Sequence, residues 1–194
     1  NSYSVRRVLY VISDITLYFE DNNSIELDNF IFINTDDSET LTQRISGLTQ
    51  LCSGISFRLG FSTEDNIDNA YLNSSNQFHD NMVWPNSFGQ SSSLINQPGG
   101  YHYMKLEGKY LNGYEEEVFY NNHTGPTNGE DYSVLYSQFN FTPSESILIK
   151  MHINNFYNNP IYDMNNFGGA IMENSNAQII LSENAYDVFT VESK

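Results

Sequence analysis

Residues 8–19 form an almost unbroken run of β-branched and aromatic side chains, and this run constrains the fold more than any other feature. Such side chains lose rotamer freedom in a helix and suit a pleated, half-buried surface. The run ends at Glu20-Asp21-Asn22-Asn23-Ser24, a cluster of turn formers. Residues 25–34 repeat the pattern and predict a second strand beside the first. Over residues 53–60 the alternation has period two, with Ile55, Phe57 and Leu59 on one face and Ser56 and Arg58 on the other. Further strands are expected at 101–110, 116–120, 132–141, 146–153 and 187–191, with a short strand or turn at 41–48. Residues 177–183 read as a short helix. Many short strands separated by Asn-, Gly- and Pro-bearing turns predict an all-β fold: an antiparallel β-sandwich with long loops and at most short helices.

A chain of 194 residues with 39% hydrophobic content can bury a core, and 1–194 reads as one domain. Residues 62–100 stand apart, being polar, rich in Asn and Ser, and without periodicity. Loops of that length inside a compact domain usually carry function, and this one holds the sole tryptophan, Trp84. No apolar run approaches a membrane span. The opening Asn1-Ser2-Tyr3 lacks a signal-peptide pattern, so a mature or trimmed product is expected.

Eight Lys and Arg against 24 Asp and Glu leave a formal charge of -16. Such a surface repels phosphate backbones and anionic lipid, so no nucleic-acid partner is expected. It also draws cations inward, within a screening distance of about 10 Å at moderate salt. Cys52 is the lone cysteine, which excludes an intrachain disulfide and any Cys-rich zinc or iron–sulfur centre. It reads as a buried, inert thiol. There is no Gly-x-Ser-x-Gly elbow, no calcium-binding loop and no phosphate-cradling glycine loop, and Glu115-Glu116-Glu117 reads as a solvated turn. No catalytic residue emerges from these motifs.

Four histidines remain as candidate donors: His79, His102, His123 and His152. In a regular strand, His102, Met104 and Leu106 would project to one face and Tyr101, Tyr103 and Lys105 to the other. His123 falls in the turn-like stretch 121–126, and His79 lies five residues before Trp84. His152 reads as an outward-facing strand residue with no ligand role. Imidazole and thioether donors without a cysteine cluster favour copper(I) over magnesium or calcium.

The motifs also occur in a telling order. Val11-Ile12-Ser13-Asp14-Ile15 comes first, followed by Ser53-Gly54-Ile55-Ser56-Phe57-Arg58-Leu59-Gly60, then Met82-Val83-Trp84-Pro85. After these stand Gly100-Tyr101-His102-Tyr103-Met104 and His123-Thr124-Gly125, with a closing region from Asn154 to Phe189. In this order the chain resembles the MbnP-like family of methanobactin-associated copper proteins. The resemblance implies a periplasmic or cell-surface copper-binding sandwich that is not itself an enzyme, held as an outer-membrane lipoprotein if an anchor lies outside this chain. It implies that Trp84 is the residue oxidised to kynurenine in association with a MauG-type diheme peroxidase, and that an outer-membrane transporter or surface assembly is a further partner. Ring opening converts the indole to an aromatic amine beside a ketone, and that amine with two imidazoles would suit copper(I). One departure is plain: MopE-like members have His two residues after the Trp, where this chain has Asn86. The candidate ligands are therefore His102 with His123, and His79 as a third. Met82 and Met104 are either thioether or supporting groups or simply core residues, and Trp84 is either modified or simply packed. A different class also stays open: a non-catalytic recognition module for glycan or a protein partner, suited by 14 Tyr and Asn-rich loops. That reading predicts a row of exposed aromatics and histidines scattered apart.

Overall fold

The computed structural model describes residues 2–84 and 99–194. The long apolar run is the spine, strand β1 (Tyr3–Phe19). Leu9 and Tyr10 pair with both β3 (Ile31–Asn34) and β5 (Met104–Leu111), so those two strands lie on opposite edges of β1. Thr16, Leu17 and Tyr18 likewise pair with both β2 (Ser24–Glu26) and β4 (Cys52–Leu59). Ile12 pairs with both β3 and β4, so β5 and β4 follow one another along the same edge. Strand β6 (Glu117–Thr124) continues from β5, and β7 (Val134–Ser144) from β4; all these pairings are antiparallel.

A bulge lets one strand serve both blocks. Val8 and Ile12 enter the main core, yet so do Ile15, Leu17 and Phe19, whose parity is opposite. The switch falls where the register with β4 slips between Ser13 and Thr16, at Asp14 with φ 50°. One inserted residue reverses every side chain beyond it. Asp tolerates the left-handed region, and Arg58 Nε donates to Asp14 Oδ2 at 2.6 Å.

The second layer is formed by the C-terminal third. Strands β8 (Ile147–Met151) and β9 (Phe189–Ser193) pair with each other. With helix α2 (Met164–Phe167) and helix α3 (Ser175–Ala185) they set Met164, Leu181 and Phe189 against the sheet residues Phe57, Leu59 and Leu106. Helix α3 begins where the Asn174 side chain accepts from Ala177 N–H. A second cluster lies on the other face of β1, where Leu9 and Val11 meet Phe32, Phe61, Phe78, Met82 and Tyr101. The molecule is thus an all-β antiparallel sandwich with few, short helices.

Some local expectations differ from what forms. The strand expected over 25–34 is interrupted and becomes β2 and β3, separated by bends. Residues 38–41 form a single 3₁₀ turn. The described part of the 62–100 stretch folds into turns and helix α1 (Phe78–Met82), whose Phe78 and Met82 are completely buried. The single-domain expectation for 1–194 includes residues 85–98, which lie outside the described residues.

Candidate metal centre

Two backbone pairings assemble the site. After α1, Val83 bridges Tyr101 in antiparallel fashion; Trp84 N–H donates to Gly100 O at 2.8 Å and His102 N–H to Met82 O at 2.7 Å. This sets Trp84 beside His102. Tyr103 N–H then donates to Thr124 O at 2.8 Å, and Lys105 pairs with His123 across β5 and β6. The Trp84 and His102 ring centroids are 4.8 Å apart at 67°, and those of His102 and His123 are 5.1 Å apart at 80°. Trp84 and His102 are each only 3% exposed.

His102 does not share the face of Met104 as regular alternation predicts. The chain bends at Tyr103 and becomes strand only at Met104, which enters the main core. Cross-strand partners share a face, so His123 stands on the side of Lys105, and there it meets the His102 ring. Nor is His123 a turn residue: it belongs to β6, and Gly125-Pro126 follow the strand.

The neighbours shape the pocket. A Cβ on Gly125 would stand 2.4 Å from Trp84 Cε3 and Cζ3, so only glycine lets the benzo ring rest there. Fully buried Gln178 of α3 donates through Nε2 to His123 O at 2.9 Å and Ile171 O at 3.2 Å, and accepts from Gly125 N–H at 3.4 Å. It ties the His123–Gly125 stretch to the second layer and satisfies its buried backbone groups.

Electrostatics keep both rings neutral. Burial, reinforced by the repulsion a protonated His102 would meet from any proton on His123 and from the Lys105 ammonium, holds the His102 pKa well below the usual imidazole value. Burial also lowers His123, against the opposing pull of the Glu107 hydrogen bond. Glu107 Oε1 lies 3.0 Å from His123 Nε2, and that hydrogen bond holds the carboxyl below its ordinary range. Among the described residues, His102 Nδ1 is buried with no hydrogen-bond partner. Neutral imidazoles have lone pairs to give, and an orphaned buried nitrogen is the group a ligand would satisfy.

The other expected residues have different surroundings. His79, on α1, faces Tyr101, its Nδ1 3.0 Å from the hydroxyl. That hydroxyl accepts from Tyr71 N–H at 2.9 Å, leaving its own proton for His79. Among the described residues, no group of three or more His, Cys, Asp or Glu side chains is arranged to hold a metal, so no three-histidine cluster forms there. Met82 is buried in the second cluster and Met104 in the main core. His152 is exposed, 2.8 Å from Thr190 Oγ1. Cys52 is a buried free thiol. Pro85 and Asn86 lie outside the described residues. Sequence reasoning missed Glu107, Lys105, Gly125 and Gln178; period two puts Lys105 and Glu107 on one face, but only the β5–β6 register brings His123 to them.

A family model for MbnP matches residues 1–174. The chain belongs to the MbnP family. No curated protein and no solved structure matches it. The matched stretch contains Trp84, His102, His123 and Glu107, while all of α3, including Gln178, and β9 lie beyond it. The MbnP family is linked to copper handling. The residues present are compatible with that ion: two neutral imidazoles, one with an orphaned buried nitrogen, are borderline nitrogen donors of a kind that suits copper.

Proposed function

We propose that this MbnP-family protein is a non-catalytic copper carrier or store outside the cytoplasm, with copper(I) as its cargo. His102 and His123 are the ligands, and the third donor is the aromatic amine that Trp84 yields when oxidised to kynurenine. The observation that carries the reading is the orphaned, buried His102 Nδ1 in a ring 4.8 Å from Trp84 and 5.1 Å from His123. Burial keeps the imidazoles unprotonated, and Gly125 leaves room for the benzo ring, which survives opening of the pyrrole half. Copper(I), a soft closed-shell cation, accepts two or three nitrogen donors in a site of this size. Oxidation of Trp84 is assigned to a MauG-type diheme peroxidase partner, and delivery of the copper to an outer-membrane transporter or surface assembly.

The recognition-module alternative called for scattered histidines, and the ring contacts of His102 and His123 run against it. Competition with a coloured copper(I) chelator is the test, on protein produced alone and beside a diheme peroxidase. One copper should bind per chain, with His102→Ala and His123→Ala each weakening binding at least tenfold. The peptide carrying Trp84 should lose one carbon and gain one oxygen when the peroxidase is present. Copper binding indifferent to both histidines would end this reading.

A further inference from the structure

We propose that Glu107 is a positioning residue that selects which nitrogen of His123 is offered to copper; this rests on the copper reading above. A neutral imidazole has one N–H and one lone pair, and the partner of the first nitrogen decides which nitrogen is free to donate. Glu107 Oε1 stands 3.0 Å from His123 Nε2. An ionised carboxylate only accepts, so Nε2 carries the proton and Nδ1 keeps the lone pair.

Three features fix this arrangement. The two side chains are only 15% and 13% exposed, so water competes weakly for the hydrogen bond. The other carboxylate oxygen, Oε2, accepts from Arg6 Nη2 at 3.4 Å, which holds the carboxylate from its far side. Glu107 and His123 project from neighbouring antiparallel strands, with Lys105 directly opposite His123, so the ladder sets their separation. The two imidazoles are thereby served differently. His102 has an unpartnered buried Nδ1, whereas His123 is oriented through its Nε2. A carboxylate bound to the far nitrogen also raises the basicity of the donor nitrogen, and losing such a partner typically costs about 10–100-fold in metal affinity.

The test begins with copper-free, ¹⁵N-labelled protein. Long-range imidazole spectra at neutral pH should report His123 of the wild type as the Nε2–H tautomer; finding Nδ1–H overturns the proposal without any variant. In Glu107→Leu the signal should move to a mixture of tautomers, and chelator competition should show copper(I) held about 10–100-fold more weakly. Lys109→Gln, which removes the exposed Lys109–Glu117 ion pair between the same two strands but leaves Glu107 and His123 untouched, should keep both tautomer and affinity. Glu107→Leu with unchanged tautomer and affinity, measured where His123→Ala weakens binding at least tenfold, sinks this inference and leaves the copper reading standing. Binding indifferent to His123→Ala sinks the copper reading itself.

Discussion

The indole of Trp84 rests against a residue with no side chain. An added methyl at Gly125 would meet two ring carbons at 2.4 Å, far inside van der Waals contact, so the ring or the β6 end must yield. Overpacking of this kind costs about 1–3 kcal/mol. Gly125→Ala should therefore lower the unfolding free energy by that amount, read as a lower urea midpoint, and shift Trp84 emission to the red as the ring is pushed from its 3%-exposed seat. Unchanged emission would mean that the glycine is not what seats the ring. Trp84, His102 and His123 were legible individually, because the order of their motifs carries the family resemblance. Their convergence was expected only through that resemblance; the contacts that produce it, and the use of Gly125 and Glu107, were not legible. Each of those depends on an atom supplied from a distant part of the chain.

At the scale of elements, the bulge at Asp14 decides which half of β1 faces which layer. Deleting Asp14 restores strict alternation and sends either Val8 and Ile12 or Ile15, Leu17 and Phe19 to the wrong face. Burying three such side chains is worth about 5–9 kcal/mol, as much as a typical domain's whole stability. The deletion should leave no cooperative unfolding transition by circular dichroism. Asp14→Gly keeps the positive φ and gives up only the partly exposed pair with Arg58, so it should cost about 1 kcal/mol or less. A deletion mutant that unfolds cooperatively would show that the strand can slip without penalty. Alternation was readable over 53–60, and β4 forms there with Ile55, Phe57 and Leu59 buried. In the first run the apolar residues are too continuous to reveal where parity changes. Residues 25–34 read as one strand because their side chains suit it, but β1 pairs with only their two ends. Helix α1 was invisible because five residues are too few for a helical period.

For the molecule as a whole, pH acts on stability through the buried imidazole. His102 is neutral when folded, and its pKa rises to the ordinary value of about 6.5 on unfolding. The unfolded chain therefore binds the extra proton as pH falls. The stability that His102 contributes is complete above about pH 6.5 and is lost progressively below it, at up to about 1.4 kcal/mol per pH unit. Acidification also relieves the repulsion of a chain with formal charge -16, which works in the opposite direction. That background is shared by a His102→Leu variant, so the comparison isolates the ring. Between pH 7 and pH 5, urea unfolding of the copper-free wild type should lose more than the variant, by at most about 2 kcal/mol; equal losses would mean that the imidazole takes its proton in the folded state as well. By itself, the sequence determined the all-β class and the exclusion of an intrachain disulfide or cysteine-rich centre, because side-chain chemistry and local alternation are properties of neighbouring residues; the three rings were singled out by the order of motifs that carries the family resemblance. Tertiary structure alone decided that His102 meets His123 on the Lys105 face, that His79 turns to Tyr101, and that Glu107 reaches His123 Nε2. Those outcomes depend on a bend at Tyr103 and on the pairing of β5 with β6, and register between strands is chosen by how a whole core fills space.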